Sequence, residues 1–262
     1  MERVRTVTAT RYVTPLREGG SLPAIVEADD DGLYVLKFRG AGQGQRALIA
    51  ELVVGELGRA LGLPVPELVF VELDPVLGRS EPDPEIKALI DASPGLNLAL
   101  DYLPGSLDYN PLLAPPPDSA LAARIVWFDA YTTNVDRTVR NTNMLLWHKR
   151  LYLIDHGAAL YFHHSWDDYL ARSRLPFPQI KDHVLLPVAG DIAEADRALA
   201  LLLTPEVIRD IVALIPDAWL RDERLFADPA VHRDAYRAYL ESRLAPPRPF
   251  AEEAIRARAR LL

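Results

Sequence analysis

Alternating apolar and polar positions in the first part of the chain predict a small β-rich region. Val4 to Val13 alternates β-branched and polar side chains, as expected of a half-exposed strand. Residues 22–27 and 33–38 continue extended patterns on either side of a turn signal, three aspartates and a glycine at positions 29–32. We therefore expect a meander of three antiparallel strands. Two further stretches have strand character, at residues 67–73 and 97–103.

A helical period begins at Arg46 and runs to Leu61, with apolar residues at the spacing of one helix face. It ends at Gly62 with Pro64 just beyond, which is a typical C-terminal signal. Most of the periodicity in the second half of the chain is also helical. The helices predicted there cover residues 118–130, 192–203, 204–214, 230–240 and 251–262, whereas residues 161–181 are predicted to be a loop.

The stretch at residues 104–117 is rich in proline and is the best candidate for a connector. The predicted fold class is α+β. Residues 1–103 would form a small antiparallel β-sheet lobe with one helix. A short helix is also predicted at residues 85–91. Residues 118–262 would form a larger, mainly helical lobe.

The composition removes several classes of function. The chain of 262 residues carries a formal net charge of −8, which argues against non-specific binding to the phosphate backbone of nucleic acids. It contains no cysteine, so disulfides, thiolate metal sites and cysteine nucleophiles are excluded. Neither a signal peptide nor an apolar run of the roughly 20 residues that a membrane span needs is visible. We therefore expect a soluble protein of the cytoplasm.

The chemistry is concentrated in one stretch near the middle of the chain. Asp136 and Asn141 lie five positions apart in a polar segment that no helix or strand period explains. Two short apolar runs, 144–147 and 151–154, then predict a β-hairpin whose second strand ends on Asp155. The hairpin would return Asp155 beside the polar segment. One of the two carboxylates would then be free for a substrate, and a carboxylate and the amide could bind one cation together. Phosphoryl transfer with Mg²⁺ requires such groups.

Two charged residues of the first part fit the same chemistry. Lys37, near the end of the third predicted strand, is placed to pair with phosphates, and Glu51 on the following helix is placed to orient it by an ion pair. We expect the partners to be exposed, so the pair would contribute about 0 to 1 kcal/mol to stability. The alternative is that both side chains, like Glu56, simply face water. Gly19 and Gly20 leave two interpretations open, a flexible loop over nucleotide phosphates or an ordinary turn.

Other kinds of site are less well supported by the spacing of residues. His156, His163 and His164 could join Asp155 in a metal site, but the compact ligand pairs typical of zinc sites are missing. The chain has no Gly-x-Ser-x-Gly sequence of a serine hydrolase. It has no Gly-x-Gly-x-x-Gly between a strand and a helix, so a dinucleotide-binding fold is not expected.

Residues 134–141, Asn-Val-Asp-Arg-Thr-Val-Arg-Asn, resemble the catalytic loop of the HipA-like kinases, which reads Asn-x-Asp-x-His-x-Lys-Asn. Residues 153–157, Leu-Ile-Asp-His-Gly, are similar to the Ile-Asp-Phe-Gly of the phosphoinositide kinases, which are relatives of that family. The resemblance covers roughly residues 15–215. It implies a two-lobed protein-kinase-like fold.

The resemblance also assigns roles to individual residues. Asp136 would be the catalytic aspartate, with Asn141 and Asp155 as ligands of Mg²⁺. Thr138 stands in place of the usual histidine and His156 in place of the usual phenylalanine, so the metal geometry or the switch to an active state would differ. The residues implied in ATP binding are Lys37, Glu51, the loop residues Gly19, Gly20 and Ser21, and the hinge residues Asp101, Tyr102 and Leu103, whose backbone would meet adenine.

The function implied is that of an ATP- and Mg²⁺-dependent phosphotransferase that phosphorylates a serine or threonine hydroxyl of a protein. Two alternatives stay open: a kinase for a small molecule or a lipid head group, and a pseudokinase that binds nucleotide and acts through partners. Asp136, Asn141 and Asp155 favour the enzyme, whereas Thr138 and His156 favour the scaffold. We do not expect the extra N-terminal domain of full HipA toxins in this chain, so the resemblance does not imply a toxin role with an antitoxin partner.

Overall fold

The computed structural model describes residues 4–16, 22–42, 44–79, 81–220 and 225–262. Strands dominate the first hundred residues and helices the remainder, so the chain is α+β as predicted. The strands are β1 (Thr6–Pro15), β2 (Ala24–Ala28), β3 (Leu33–Lys37), β4 (Leu68–Leu73), β5 (Gly95–Asp101), β6 (Leu107–Asp108), β7 (Met144–Trp147) and β8 (Arg150–Leu153). The helices are α1 (Gly44–Ala60), α2 (Pro84–Asp91), α3 (Ser119–Thr132), α4 (Tyr169–Ser173), α5 (Ile192–Leu202), α6 (Pro205–Val212), α7 (Pro229–Leu244) and α8 (Pro249–Ala259). Short 3₁₀ turns cover Pro75–Gly78, Tyr161–His164, Pro178–Asp182, Leu186–Val188 and Asp217–Trp219.

Strands β1 to β5 form a closed barrel in the order β1-β2-β3-β5-β4. Neighbouring strands are antiparallel except β1 and β4, which run parallel with Thr6 opposite Phe70. The prediction of a purely antiparallel sheet is wrong, because strands in a closed ring can all alternate in direction only if their number is even. Closure also removes the exposed edge strands that an open sheet would have.

Helix α2, which matches the short helical stretch predicted at 85–91, lies against this barrel, so residues 1–103 contain a second helix beside α1. Its apolar residues Ile86 and Ile90 belong to the same buried cluster as the barrel interior. Asp83 caps the first turn by accepting a hydrogen bond from the N–H of Glu85, at 3.0 Å. The capped turn and the two buried isoleucines thus fix this short helix against the barrel.

Helix α1 is buried on almost every side, although its sequence suggests only one apolar face. Glu51 is 1% exposed and Glu56 4% exposed, so the alternative that these carboxylates face water is wrong. The helix lies between the barrel and α3, and a Cβ atom at Gly58 would lie only 3.3 Å from the ring of Phe128. It ends as predicted near Gly62, whose φ of 68° suits glycine.

The residues predicted as a connector, 104–117, contain β6, which adds a third strand to the hairpin of β7 and β8. The hairpin itself forms as predicted. Just beyond β8, the N–H of Ile154 donates a 3.0 Å hydrogen bond to the carbonyl of Asn143. This contact fixes the point at which the chain leaves the sheet, one residue before Asp155.

The helices after residue 118 surround the main core. Helix α3 is capped by Asp118, whose carboxylate accepts a 2.9 Å hydrogen bond from the N–H of Ala120. Residues 161–181, predicted as a loop, contain α4 and two 3₁₀ turns that are too short to give a visible period. Within the described ranges, none of the helices combines the length and apolarity of a transmembrane segment.

Candidate active site

Lys37, at the end of β3, lies between two carboxylates from distant parts of the chain. Its Nζ donates a 2.7 Å hydrogen bond to Oδ1 of Asp155 and lies 3.8 Å from Oε2 of Glu51. The side chains of Lys37 and Glu51 are only 13% and 2% exposed, whereas that of Asp155 is 41% exposed. The predicted ion pair between Lys37 and Glu51 is therefore present, but the expectation that it is exposed is wrong. The cluster opens to solvent on the side of Asp155.

Burial and charge act in opposite directions on this cluster. Burial alone would lower the pKa of Lys37, but the carboxylates of Glu51 and Asp155 outweigh it and raise that pKa above its ordinary value. Burial alone would raise the pKa of Glu51, but the ammonium group of Lys37 and the contacts with His156 lower it to about 2. Lys37 and Glu51 are therefore both charged at neutral pH.

His156 contacts Glu51 through both its backbone and its side chain. Its N–H donates a 2.9 Å hydrogen bond to Oε2 of Glu51, the same oxygen that faces Lys37. The imidazole is buried against Phe128, with Nδ1 3.6 Å from Oε1 of Glu51. Within the described part of the chain, neither ring nitrogen has a hydrogen-bond partner. The residue that replaces the usual phenylalanine is therefore accommodated as a buried ring.

The loop between α3 and β7 places Asp136 and Asn141 in direct contact. Nδ2 of Asn141 donates a 2.8 Å hydrogen bond to Oδ2 of Asp136. Nδ2 of Asn143 donates to the same oxygen at 3.2 Å and reaches the carbonyl of Asp155 at 3.5 Å. Asn143 thus joins the loop to the residue that follows the hairpin. It is missing from the residues predicted from the sequence, although the Asn-Thr-Asn run gave a signal for a second amide.

Three residues in or near this loop have left-handed backbone conformations. Thr133, Asn143 and Asp155 have φ angles of 55°, 48° and 54°. For a residue with a Cβ atom this region costs about 1–2 kcal/mol, less for asparagine and aspartate, whose side chains can bind the nearby backbone. Such conformations persist only where the surrounding contacts impose them, which is common at functional sites.

Asp129, on α3, is connected to this loop through buried hydrogen bonds. It is fully buried, and its Oδ1 accepts a 3.1 Å hydrogen bond from Nδ2 of Asn134, whose own Oδ1 accepts the N–H of Asp136 at 3.1 Å. Burial alone would raise the pKa of Asp129, but the guanidinium of Arg137 and a hydrogen bond from His183 lower it to about 2. A charged carboxylate thus lies two hydrogen bonds from Asp136.

The predicted hinge follows β5. The N–H groups of Asp101 and Tyr102 donate hydrogen bonds to the carbonyls of Glu67 and Leu33, at 2.8 and 3.0 Å. The N–H of Leu103 donates to none of the residues that the structure describes. Of the three hinge residues, Leu103 is therefore the one with a backbone donor left for a ligand.

Asn141 and Asp155 offer oxygen atoms that suit Mg²⁺. Asn141 uses Nδ2 to bind Asp136, which leaves its Oδ1 for a cation, and Lys37 occupies only Oδ1 of Asp155. Amide and carboxylate oxygens fit Mg²⁺ when water and phosphates fill its other positions. The described ranges contain no group of three or more His, Cys, Asp or Glu side chains able to hold a metal by themselves. The amide oxygen of Asn141 and the carboxylate of Asp155 could supply part of the coordination of Mg²⁺, with phosphates as further ligands.

Two predictions concern residues at the margins of this site. Gly19, Gly20 and Ser21 lie outside the described residues. Thr138 closes the loop that carries Asp136 and Asn141: its N–H donates to the carbonyl of Asn141 at 2.9 Å, and its Oγ1 accepts the N–H of Asn141 at 3.4 Å. The replacement of the usual histidine by Thr138 thus leaves the loop closed.

A barrel lysine paired with a helix glutamate, next to an Asp–Asn loop and the aspartate that follows a hairpin, defines a kinase-like protein. A family model described as HipA-like kinase matches residues 10–243. The chain therefore belongs to the HipA-like kinase family, and the resemblance inferred from its sequence is confirmed.

A solved kinase structure shares the fold of this chain. The chain is similar to the proinflammatory kinase CtkA of Helicobacter pylori, with 13% identity and a TM-score of 0.58 over 98% of this chain and 100% of that chain. It is also similar to the Golgi casein kinase, with 12% identity and a TM-score of 0.47. For that kinase with Mn and ADP bound, the values are 13% and 0.46, and both matches cover 98% of this chain and 74% of the other. No curated protein sequence matches the chain.

Proposed function

We propose that the protein is an ATP- and Mg²⁺-dependent phosphotransferase that acts on a serine or threonine hydroxyl of a protein. The observation that carries the proposal is the meeting of Lys37, Glu51 and Asp155, with 2.7 and 3.8 Å between one ammonium group and the two carboxylates. Phosphoryl transfer depends on positioned charge of this kind around the phosphates of ATP. Membership of the HipA-like kinase family supports the same activity.

ATP would bind between two lobes, residues 1–103 and residues 118–262, joined by residues 104–117. The N–H of Leu103, which has no acceptor among the described residues, is suited to the edge of the adenine ring. Lys37 would then face the phosphates, held in that direction by its buried partner on α1. Each lobe thus supplies part of the site, which explains why the site residues are far apart in the sequence.

Asp136 would accept the proton of the acceptor hydroxyl. Its Oδ2 is held by the amides of Asn141 and Asn143, which orients the carboxylate and leaves Oδ1 for the proton. As the hydroxyl oxygen bonds to the γ-phosphorus, the bond from that phosphorus to the β–γ bridging oxygen breaks and ADP leaves. Asn141 and Asp155 would hold Mg²⁺, which neutralises phosphate charge when it is bound.

The test is incubation of the purified protein with Mg²⁺ and ATP labelled on the γ-phosphate, alone and with a library of serine and threonine peptides. We expect label on a protein or peptide hydroxyl, and none with the Asp136→Asn variant. Label found only on small molecules or lipids would assign another acceptor. Firm ATP binding without transfer to any acceptor would show that the protein is a nucleotide-binding scaffold and not an enzyme.

A further inference from the structure

Arg137, directly after the proposed catalytic aspartate, ties the two ends of its loop together. Its Nε donates a 2.6 Å hydrogen bond to Oδ2 of Asp129 on α3, and its Nη1 donates to the carbonyls of Thr142 and Asn143. The guanidinium is fully buried, so water does not compete for these contacts. Because Asn143 binds the carboxylate of Asp136, Arg137 connects α3 to a residue that orients the proposed base.

His183 reaches the same carboxylate from a segment further along the chain. Its Nε2 lies 2.8 Å from Oδ2 of Asp129, and the N–H of Leu185 donates a 3.0 Å hydrogen bond to its Nδ1. Because Nδ1 accepts a hydrogen bond, the ring proton is on Nε2 and is donated to Asp129. His183 is only 5% exposed. Both ring nitrogens are therefore used inside the protein.

The backbone of this segment also runs along the catalytic loop. Thr138 and His183 form an antiparallel bridge, and the N–H of Val184 donates a 3.1 Å hydrogen bond to the carbonyl of Arg137. Thr138 stands where the family pattern has a histidine, so a histidine from another segment lies beside that position. Side-chain and backbone contacts thus join one short segment to the residues that follow Asp136.

We propose that His183 is a positioning residue for the loop that carries Asp136. By donating to Asp129, it fixes the carboxylate to which Arg137 is bound, and so restricts the loop from α3 to β7. A displacement of about 1 Å at a reacting group can cost about 10²-fold in rate, so a loop held at both ends matters for transfer. The catalytic consequence rests on the proposed function, whereas the order of the loop can be measured without turnover.

Two substitutions separate the two hydrogen bonds of this histidine. His183→Gln keeps a donor near the place of Nε2, whereas His183→Asn keeps an acceptor near Nδ1 and loses the contact with Asp129. His232→Asn, at a buried histidine on α7, is the matched control. For each variant we would measure amide hydrogen exchange across residues 134–143, kcat for phosphate transfer and KM for ATP with Mg²⁺.

We expect His183→Asn to speed exchange across residues 134–143 by about tenfold or more relative to the rest of the chain. It should lower kcat by about tenfold to hundredfold at unchanged KM for ATP, because the nucleotide-facing side chains of the barrel are untouched. His183→Gln should restore most of both properties, and His232→Asn should leave exchange in the loop at the level of the parent.

Faster exchange spread evenly over the chain would overturn the proposal and make His183 a general structural residue. Unchanged exchange in the loop of His183→Asn would overturn it too, whatever happens to kcat. If the parent transfers no phosphate, the proposed function fails, and local exchange across residues 134–143 still decides whether His183 positions the loop.

Discussion

Lys37 and Asp155 are 118 positions apart in the sequence and are joined by a 2.7 Å hydrogen bond. The contact forms because β3 ends where the chain leaves β8, and Glu51 on α1 completes the cluster. The buried carboxylate of Glu51 depends on this ammonium group, since burial penalises any charge that is left without a partner, whereas the carboxylate of Asp155 is partly exposed to water. Loss of Lys37 should therefore affect both the fold and the site.

Replacing Lys37 with methionine should lower stability and nucleotide affinity together. The change leaves the buried Glu51 without its cation, and removal of one partner of a buried pair costs about 3–5 kcal/mol of the free energy of unfolding. Urea unfolding and titration with ATP and Mg²⁺ measure the two effects. Lys87→Met is the control, because Lys87 is exposed beside Asp91 and its loss should cost less than about 1 kcal/mol.

A double variant separates the two roles of this lysine. Lys37→Met combined with Glu51→Gln removes both buried charges and should recover most of the stability, but not the affinity for ATP. Intact ATP affinity in the single variant would show that Lys37 is structural and does not face the phosphates.

Local patterns allowed much of the fold to be predicted. Turn signals and periodicity located the five barrel strands, the long helices and the hairpin that precedes Asp155, since each depends on neighbouring residues, whereas β6 was missed inside the predicted connector. The parallel pair of β1 and β4 could not be predicted in this way, because it follows from closing a ring of five strands. The burial of Glu51 was also hidden, because α1 is covered on its polar side by other parts of the chain.

The candidate site was predictable where its residues are close in sequence. Asp136 and Asn141 form one short loop, so their spacing alone indicated a shared task. The contact of Asp129 with His183 spans 54 positions and involves polar residues with no period to mark them. Asn143 contributes through a left-handed backbone conformation, which its sequence permits but does not require.

ATP with Mg²⁺ should raise the unfolding temperature far more than ATP alone. The partly exposed carboxylate of Asp155 repels phosphates unless a divalent cation lies between them, and bound ligand at about 100 times Kd stabilises a protein by about 2.7 kcal/mol. Asp155→Asn and Asn141→Ala should shrink the difference between the two conditions, measured by thermal unfolding. Asp234→Asn, at an exposed position of α7, should preserve it. Equal shifts in the parent would remove Asn141 and Asp155 from metal binding.

Replacing His156 with phenylalanine should leave stability unchanged or raise it by about 1 kcal/mol. Neither ring nitrogen has a hydrogen-bond partner among the described residues, so the apolar ring removes buried polar atoms at no loss of hydrogen bonds. The backbone N–H that holds Glu51 is untouched. His156→Leu controls for the larger volume of phenylalanine, and urea unfolding measures both. A loss of more than about 2 kcal/mol in both variants would show that the 3.6 Å contact with Glu51 is a stabilising ion pair.

Acid should destabilise the protein between about pH 4 and pH 2. In an unfolded chain Asp and Glu titrate near pH 4 (about 3.9 and 4.3), whereas the pKa of Asp129 and of Glu51 is about 2 in the folded protein. The unfolded chain therefore binds more protons in this window. The free energy of unfolding therefore falls as the pH is lowered from about 4 to about 2. Above about pH 4.5 the two carboxylates make their full contribution to stability.

The variant Asp129→Asn isolates one part of this dependence. It should be less stable at neutral pH, because the buried Arg137 loses its partner, and its stability should depend less steeply on pH below about pH 4. Urea unfolding at several pH values measures the slope, with Asp234→Asn as the exposed control. An unchanged slope in Asp129→Asn would mean that Asp129 titrates alike in the folded and unfolded states.

Asp136→Asn separates an enzyme from a nucleotide-binding scaffold. An asparagine oxygen can accept the same two hydrogen bonds from Asn141 and Asn143, so the variant should fold and bind ATP with Mg²⁺ as the parent does. It cannot take the proton of the acceptor hydroxyl, and transfer of labelled phosphate should therefore fall by about 10²- to 10⁴-fold. Asp108→Asn, on the exposed strand β6 beside the hairpin, should transfer at the rate of the parent. Transfer by Asp136→Asn at the parent's rate would remove Asp136 from the mechanism, because the rate of transfer would then not depend on its carboxylate.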